Sequence, residues 1–252
     1  MKKTMICFAA VLILVSCSHS DEPFGKDENV KSDVTKSEFS NYVNYFQDGM
    51  EWICNEYATT DPYDQGPWLT KIWIDGEAEV DGVKALKVYK QNYVFDDAPR
   101  FVTYIRVDGD RVLFLNTKSA TEWSLLYDFG LDNGDLEYFF TPACNWEWLP
   151  NKVPMRLLCK GVSEYPLNPD YIQMEVVDRS FDMIEMQEEG SEVDLDYMET
   201  GIWLKGLGSV DGPLSNIQFN VLGVSSILVE ASLDGKVVFT NPNVEKAEVV
   251  KR

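Results

Sequence analysis

The sequence contains a single histidine, His19, which lies close to the N-terminus. Ser-His-Asp and Cys-His catalysis both need an imidazole base beside the nucleophile. Because no histidine follows residue 19, these mechanisms and histidine-based zinc sites are excluded from the rest of the chain. A glycoside hydrolase needs only two carboxyl groups, so that class of enzyme is not excluded.

Positive charge is also scarce. The chain has 22 Lys and Arg against 42 Asp and Glu, and its net charge is −20. A phosphate backbone is bound by clustered cations, so we predict no nucleic-acid partner. Anionic lipid headgroups repel an acidic surface, and we therefore expect any membrane attachment to depend on a lipid anchor.

Nucleotide-binding patterns are missing as well. Gly206, Gly208 and Gly212 surround Ser209, but their spacing fits neither the P-loop nor the dinucleotide fingerprint. We interpret this segment as a strand end and turn, in which Gly208 and Gly212 supply backbone conformations closed to other residues. The sequence predicts no cofactor.

Few cysteines remain beyond the N-terminal region, namely Cys54, Cys144 and Cys159. They lack the paired CxxC spacing of a thiolate metal site. A disulfide between Cys144 and Cys159 would close a proline-containing loop and stabilise it. The alternative is that all three are buried thiols, since free cysteine packs as a small hydrophobic residue.

The N-terminus has the features of a lipoprotein signal. Met1-Lys2-Lys3 precedes the apolar run Met5–Val15, and Leu14-Val15-Ser16-Cys17 resembles a lipobox. The run is too short for the roughly 20 residues that span a bilayer. We predict a signal peptide over 1–16, lipidation of Cys17, and anchoring to the outer membrane at its periplasmic or cell-surface face. An ordinary secretory signal is the alternative.

Two regions follow Cys17. Residues 17–36 are polar and poor in hydrophobic residues, which predicts a disordered tether. Residues 37–252 are predicted to form one β-rich domain. At its start, Ser37 as N-cap and the aromatic residues of 42–46 predict a short helix over 37–46.

Strand and turn signals dominate the domain. Asp-Gly favours the two-residue turn of a hairpin, and Asp81-Gly82, Asp108-Gly109 and Asp234-Gly235 each lie between strand-like segments. Asn133-Gly134 marks a further turn. Short connections join antiparallel neighbours, so we predict an all-β antiparallel meander that forms a curled or open barrel, with a β-sandwich as the alternative.

Several short segments resemble a group of secreted or lipid-anchored Bacteroidetes proteins. These segments are Gly49-Met50-Glu51-Trp52, Asp81-Gly82-Val83, Leu125-Leu126-Tyr127-Asp128-Phe129 with Asn133-Gly134-Asp135, and Trp203-Leu204-Lys205-Gly206-Leu207-Gly208-Ser209 with Gly212-Pro213-Leu214. The resemblance spans most of residues 49–242. It implies a β-rich fold and an extracytoplasmic location, and it implies no activity.

Trp146 and Trp148 are the candidate recognition residues. Trp146 and Trp148 share a face if the segment is extended, and the neighbouring Glu147 and Asn145 are suited to binding sugar hydroxyls. The flanking prolines indicate a loop, where binding residues are frequent. The alternative is that both indoles pack against the core, as we expect for Trp68, Trp73, Trp123 and Trp203 in or beside strands.

An alternating acidic segment is a weak calcium candidate. Glu192, Asp194 and Asp196 would project from one side of a strand, and calcium binds clustered oxygen ligands. A solvated strand face is the alternative, and we predict no other metal site.

These observations favour a non-enzymatic lipoprotein that binds a glycan or protein ligand, or serves as an accessory module. A carboxylate-dependent glycoside hydrolase on the same scaffold is the first alternative. A structural subunit of an outer-membrane assembly is the second.

Overall fold

The computed structural model describes residues 41–58, 66–115, 122–141, 153–179, 200–217 and 224–248. Within these ranges every regular element is a β-strand, and the strands lie in one compact unit, Thr35–Arg252. The all-β prediction is confirmed. No helix long and apolar enough to cross a membrane occurs among these residues.

Thirteen strands are described. In chain order they are β1 (Met50–Ala58), β2 (Trp68–Val80), β3 (Val83–Asn92), β4 (Arg100–Asp108), β5 (Arg111–Leu115), β6 (Trp123–Asp128), β7 (Leu136–Thr141), β8 (Val153–Glu164), β9 (Ile172–Asp178), β10 (Thr200–Leu204), β11 (Gly208–Ser209), β12 (Val224–Leu233) and β13 (Lys236–Thr240).

The strands form two antiparallel sheets. The large sheet has the order β13-β12-β1-β2-β3-β4-β5-β6, and the small sheet has the order β11-β10-β9-β8-β7. Strands β1 to β6 are therefore a meander, as predicted, and the β12–β13 hairpin adds to the free edge of β1. Each sheet curls into half of an open barrel, an arrangement that fits both the predicted barrel and the sandwich alternative.

Two of the three predicted hairpins turn where the sequence indicates. Asp81-Gly82 joins β2 to β3 with φ of 51° and 78°, and Asp234-Gly235 joins β12 to β13 with φ of 50° and 75°. Consecutive positive φ angles are the property of a type I′ turn, which asparagine, aspartate and glycine tolerate best.

The third hairpin turns one residue later than predicted. Asp108 pairs with Arg111, so the turn residues are Gly109-Asp110 and not Asp108-Gly109. Gly109 has φ of 61° and Asp110 does not have a positive φ, which fits a type II′ turn with glycine first. The Asp-Gly pair located this hairpin but not its register.

The predicted Asn133-Gly134 turn is confirmed, and it carries the chain from the large sheet to the small one. Gly134 has φ of 91°, and the Asp135 N–H donates to the Asp132 carbonyl at 3.0 Å. The turn follows β6 and precedes β7, which lie in different sheets.

The predicted helix over 37–46 is wrong for the part that the structure describes, because residues 41–46 have no regular secondary structure. The Tyr45 N–H donates to the Gly206 carbonyl at 2.8 Å, and the Phe46 ring packs against Trp52 with centroids 5.3 Å apart. A Cβ on Gly206 would lie 2.1 Å from the Val43 carbonyl oxygen. These tertiary contacts override a weak local helix preference.

Aromatic residues from both sheets build the core. Trp203 of β10 is completely buried and meets Tyr127 of β6 edge-on, with centroids 5.1 Å apart. The Trp203 indole N–H donates to the Asn216 carbonyl at 2.5 Å, and that of Trp52 donates to the Leu207 carbonyl at 3.0 Å. Paired indole nitrogens allow both tryptophans to be buried without an unsatisfied donor.

The four tryptophans assigned to strands all lie in strands. Trp68 and Trp203 are buried, which confirms the packing prediction for them. Trp73 and Trp123 are only partly buried. The glycine-rich segment also behaves as predicted, because Gly208 and Gly212 have φ of 106° and 108°.

Candidate functional site

A cavity of about 600 Å³ opens where the segment before β1 meets the β8–β9 turn. Its aromatic side chains are Tyr42, Tyr45 and Tyr171, and its charged side chains are Asp170 and Lys205. The other lining residues are Asn41, Val43, Asn168, Ile172 and Val238. We call this cavity the tyrosine pocket. Its volume lies in the range of roughly 300–1,000 Å³ that is usual for small-ligand sites.

Backbone hydrogen bonds hold the walls of the tyrosine pocket together. The Lys205 N–H donates to the Ile172 carbonyl at 2.8 Å, which joins the end of β10 to the start of β9. The Tyr171 N–H donates to the Asn168 carbonyl at 3.0 Å and closes the β8–β9 turn. Together with the Tyr45–Gly206 bond, these contacts preorganise a site built from segments distant in sequence.

Two tyrosines of the pocket, Tyr42 and Tyr171, are held as neutral phenols. The Tyr171 hydroxyl donates to the Val238 carbonyl, and burial followed by interaction with Tyr45 raises the pKa of Tyr171. The Tyr42 hydroxyl donates to Asp110, and burial together with that carboxylate raises the pKa of Tyr42. Neutral phenols act as hydrogen-bonding groups at neutral pH and not as nucleophiles.

Lys205 places a cation in the pocket wall although it is only 8% exposed. Its Nζ lies 5.9 Å from the centre of the Tyr42 ring, within the range of a cation–π contact. Burial lowers the pKa of Lys205, and attraction to Asp110 and Asp132 opposes that shift. The pocket therefore combines an ammonium donor with aromatic surfaces.

The lining side chains of this pocket are suited to binding a polar ligand. Aromatic faces, phenol hydroxyls, the Asn168 amide and the Asp170 carboxylate match a ligand with apolar faces and many hydroxyl groups, such as a sugar. A glycosidase requires two carboxyl groups flanking the scissile bond. Asp170 supplies the only carboxyl group among the described residues that line this pocket.

An ionic cluster on the inner face of the large sheet consists of Glu56, Thr70 and Asn92, which are buried, and Lys90, whose side chain is 21% exposed. The Lys90 Nζ lies 2.6 Å from Glu56 Oε1, and the Asn92 amide donates to Glu56 Oε2 at 2.9 Å. Burial alone raises the pKa of Glu56, but attraction and hydrogen bonding by Lys90, Thr70 and Asn92 outweigh it and hold the pKa below its ordinary value.

Asp211 is a second buried carboxyl group, in the turn after β11. Burial raises its pKa to about 6, and the hydrogen bond from the Ser209 hydroxyl at 3.3 Å only partly opposes the rise. Two carboxyl groups with opposite pKa shifts are the pattern of an acid–base pair. However, neither Glu56 nor Asp211 lines the tyrosine pocket or the smaller cavity of about 440 Å³ beside Phe46. We therefore assign both to the structure of the core.

The candidate residues from the sequence lie outside the described ranges. This applies to the recognition loop with Asn145, Trp146, Glu147 and Trp148, to the calcium candidates Glu192, Asp194 and Asp196, and to the lipidation site Cys17. All of these assignments stay predictions. Among the residues with described positions, no group of three or more His, Cys, Asp or Glu side chains is arranged to hold a metal ion.

Cys54 and Cys159 are buried, and neither is bonded to a cysteine among the described residues. As a free thiol, each is protonated and unreactive at neutral pH, because burial raises the pKa of Cys54 to about 12 and that of Cys159 to about 11. Cys144 lies outside the described residues. A bridge between Cys144 and Cys159 stays a prediction.

Sequence reasoning missed the tyrosine pocket. It placed Tyr42 and Tyr45 on a helix and gave no role to Tyr171 or Lys205. One signal was available, because Lys205 interrupts an otherwise apolar run from Trp203 to Leu207. A charged residue within a core motif indicates either a buried pair or a site.

No protein-family model matches this chain, and neither a curated protein nor a solved structure shows significant similarity to it.

Proposed function

We propose that this protein is a lipoprotein of the outer membrane or cell surface that acts as a non-enzymatic binding or accessory module. Its ligand is a glycan or a protein segment, and the tyrosine pocket is the binding site. The observation that supports this proposal is the cavity of about 600 Å³, which is lined by Tyr42, Tyr45, Tyr171 and the buried Lys205.

The location rests on the N-terminal sequence. A charged start, a short apolar run and a cysteine after Leu14-Val15-Ser16 support lipidation of Cys17. The resemblance to lipid-anchored Bacteroidetes proteins supports the same location. Incorporation of a labelled fatty acid, lost in Cys17→Ser, is the expected result, and unlabelled wild-type protein would contradict it.

The binding test uses the full chain purified in detergent. We expect at least one polysaccharide from a panel of neutral and acidic glycans to retard it in affinity electrophoresis, and we expect Tyr45→Ala to weaken that retention at least about tenfold. Tyr138→Ala is the matched control, because Tyr138 is 55% exposed on β7 and lies outside the pocket.

Each result separates the alternatives. Unchanged retention of a folded Tyr45→Ala variant would show that the tyrosine pocket is not the binding site. Release of new reducing ends from a retained glycan would favour the hydrolase. Uniform mobility on every glycan, with a co-purifying membrane protein, would favour the structural subunit.

A further inference from the structure

The outer face of the large sheet departs from the pattern expected of a solvated face. An antiparallel sheet that faces water on one side alternates apolar and polar residues. On β2, Ile72 and Ile74 point inward and are buried, yet the residue between them that points outward is Trp73. On β4, Ile105 is buried and its outward neighbour is Tyr104.

Five aromatic residues form a band across this outer face. Trp73 stacks with Tyr89 at 5.7 Å between ring centroids, Tyr89 meets Phe101 at 5.8 Å, and Phe101 meets Tyr104 at 4.8 Å. From Tyr104, the backbone register leads through Leu115, which is only 2% exposed, to Trp123. We call Trp73, Tyr89, Phe101, Tyr104 and Trp123 the aromatic band.

The band crosses β2 to β6 in two offset rows, because Phe101 and Tyr104 both lie on β4 and pair with Tyr89 and Lys87 of β3. Four steps between neighbouring strands give it a width across the sheet of roughly 19 Å. Its rings are partly exposed, and Phe101 is 40% exposed. A long row of accessible rings is suited to an extended ligand, because each ring offers a flat apolar face.

Cations are interspersed with these rings. The Lys71 Nζ lies 5.2 Å from the Trp73 ring, and the Arg106 guanidinium lies 5.3 Å from the Trp123 ring. Lys87 is the cross-strand partner of Tyr104. Lys71 is bound to Glu51 at 2.6 Å, whereas the nearest carboxylate oxygen to Arg106 is that of Asp108 at 3.9 Å.

The Arg106 Nε is also a buried donor without a hydrogen-bond partner among the described residues. The Arg106 side chain as a whole is 30% exposed, and an anionic oxygen is the acceptor that a guanidinium binds best. The cations next to these rings are locally complementary to a negatively charged ligand, and the net charge of −20 opposes that attraction at long range.

We propose that the aromatic band binds a linear polysaccharide that carries carboxylate or sulfate groups. The sugar rings pack on the aromatic faces, and the acidic groups bind Lys87 and Arg106. No residue of the band lines the tyrosine pocket, so this proposal stands whether or not that pocket binds a ligand.

The test measures binding of the full chain in detergent to polygalacturonate and chondroitin sulfate, with dextran and galactomannan as neutral probes. We expect an acidic probe to bind, and we expect higher ionic strength to weaken that binding by screening. Trp73→Ala and Phe101→Ala should each weaken it at least about tenfold, with Tyr138→Ala as the exposed-tyrosine control. Phe101→Ala keeps the test valid if Trp73→Ala does not fold.

A second pair of variants tests whether the cations beside the band contribute to binding. Lys87→Gln should weaken binding of the acidic probe about threefold or more, whereas Lys236→Gln, an exposed lysine on β13, should leave it unchanged. The pocket variant Tyr45→Ala should also leave it unchanged, which separates this proposal from the proposed function.

Several outcomes would overturn the proposal. Equal affinity for neutral and acidic probes would show that the cations do not contribute to binding. Unchanged affinity in a folded Phe101→Ala variant would show that the aromatic band is not the binding site. If no probe binds and light scattering shows a dimer that Phe101→Ala dissociates, a second copy of the chain covers the band instead.

Discussion

Glu56 and Asp211 are buried to nearly the same extent, with 7% and 8% exposure, yet their pKa values shift in opposite directions. The region around Glu56 supplies a lysine at 2.6 Å and amide and hydroxyl partners. The region around Asp211 supplies one hydroxyl at 3.3 Å. The comparison shows that the partners, and not burial alone, decide whether a buried carboxyl group is charged.

The two regions also differ in what they contribute to stability. Burying a charge costs desolvation free energy, and attraction to an opposite charge offsets that cost only while both partners are present. An aspartate with a raised pKa destabilises the folded state at neutral pH, because folding disfavours its ionised form. Five variants test this difference, and they are given in order of decreasing expected change in stability.

Lys90→Met should have the largest effect. The change leaves Glu56 buried without its cation, and we expect the free energy of unfolding at pH 7 to fall by about 3–5 kcal/mol in urea denaturation. The Glu56→Gln/Lys90→Met double variant is the control and should recover most of the loss. A loss below about 1 kcal/mol in Lys90→Met would show that water or another group replaces the lysine.

Asp211→Asn should change the pH dependence of stability. The folded pKa of about 6 lies above the ordinary 3.8, so the folded state holds the proton longer than the unfolded state. The wild-type free energy of unfolding should therefore lose on the order of 3 kcal/mol from this group as the pH rises from about 4 to about 6. Asp211→Asn should lack that loss and be the more stable protein at pH 8.

Glu56→Gln is the control for that experiment, because its stability difference from wild type should depend on pH in the opposite direction. The pKa of Glu56 is lowered, so its contribution is present above its unfolded pKa and is lost as the pH falls through its folded pKa. The difference between wild type and Glu56→Gln should therefore shrink on acidification. If the stability differences of Asp211→Asn and Glu56→Gln from wild type changed with pH in the same direction, the two pKa values would not be shifted in opposite directions.

Ser209→Ala should raise the pKa of Asp211 further, in the same direction as burial does. The change removes the hydrogen bond that lowers the pKa of Asp211 and the acceptor for the Asp211 N–H at 3.1 Å. Carbon-detected NMR titration should show a pKa above 6, with a stability loss of about 1 kcal/mol. Ser163→Ala, on the exposed part of β8, should leave the titration of Asp211 unchanged.

Lys84→Met should have the smallest effect. Lys84 and Glu77 form an ion pair at 3.5 Å, and their side chains are 86% and 63% exposed. Exposed pairs contribute little, so we expect a change within about 0.5 kcal/mol in the same urea assay. A loss comparable to that of Lys90→Met would mean that burial is not what separates the two ion pairs.

Local signals predicted much of this fold. Asp81-Gly82 and Asp234-Gly235 were located correctly because a positive φ at two successive residues is a local requirement that few residue types meet. The Gly109-Asp110 turn was displaced by one residue, because the choice between neighbouring turn positions depends on the pairing of Asp108 with Arg111. The helix over 37–46 failed because contacts with distant residues position Tyr45 and Phe46.

The candidate site was predicted less well. Its residues come from the segment before β1, the β8–β9 turn, the end of β10 and β13. No pattern within any one of these segments indicates that they meet. The aromatic band was not predicted either, because Trp73 and Trp123 each suit a strand and only the register of five strands places the five rings on one face.

Residue types and short-range backbone preferences are enough to predict the strands, most turns, the acidic character and the absence of histidine chemistry beyond His19. The amino-acid pattern does not reveal that Glu56 is charged and paired, that the pKa of Asp211 is raised, or that three tyrosines and Lys205 share one pocket. These properties depend on distances and burial between residues far apart in the chain, which only folding brings together.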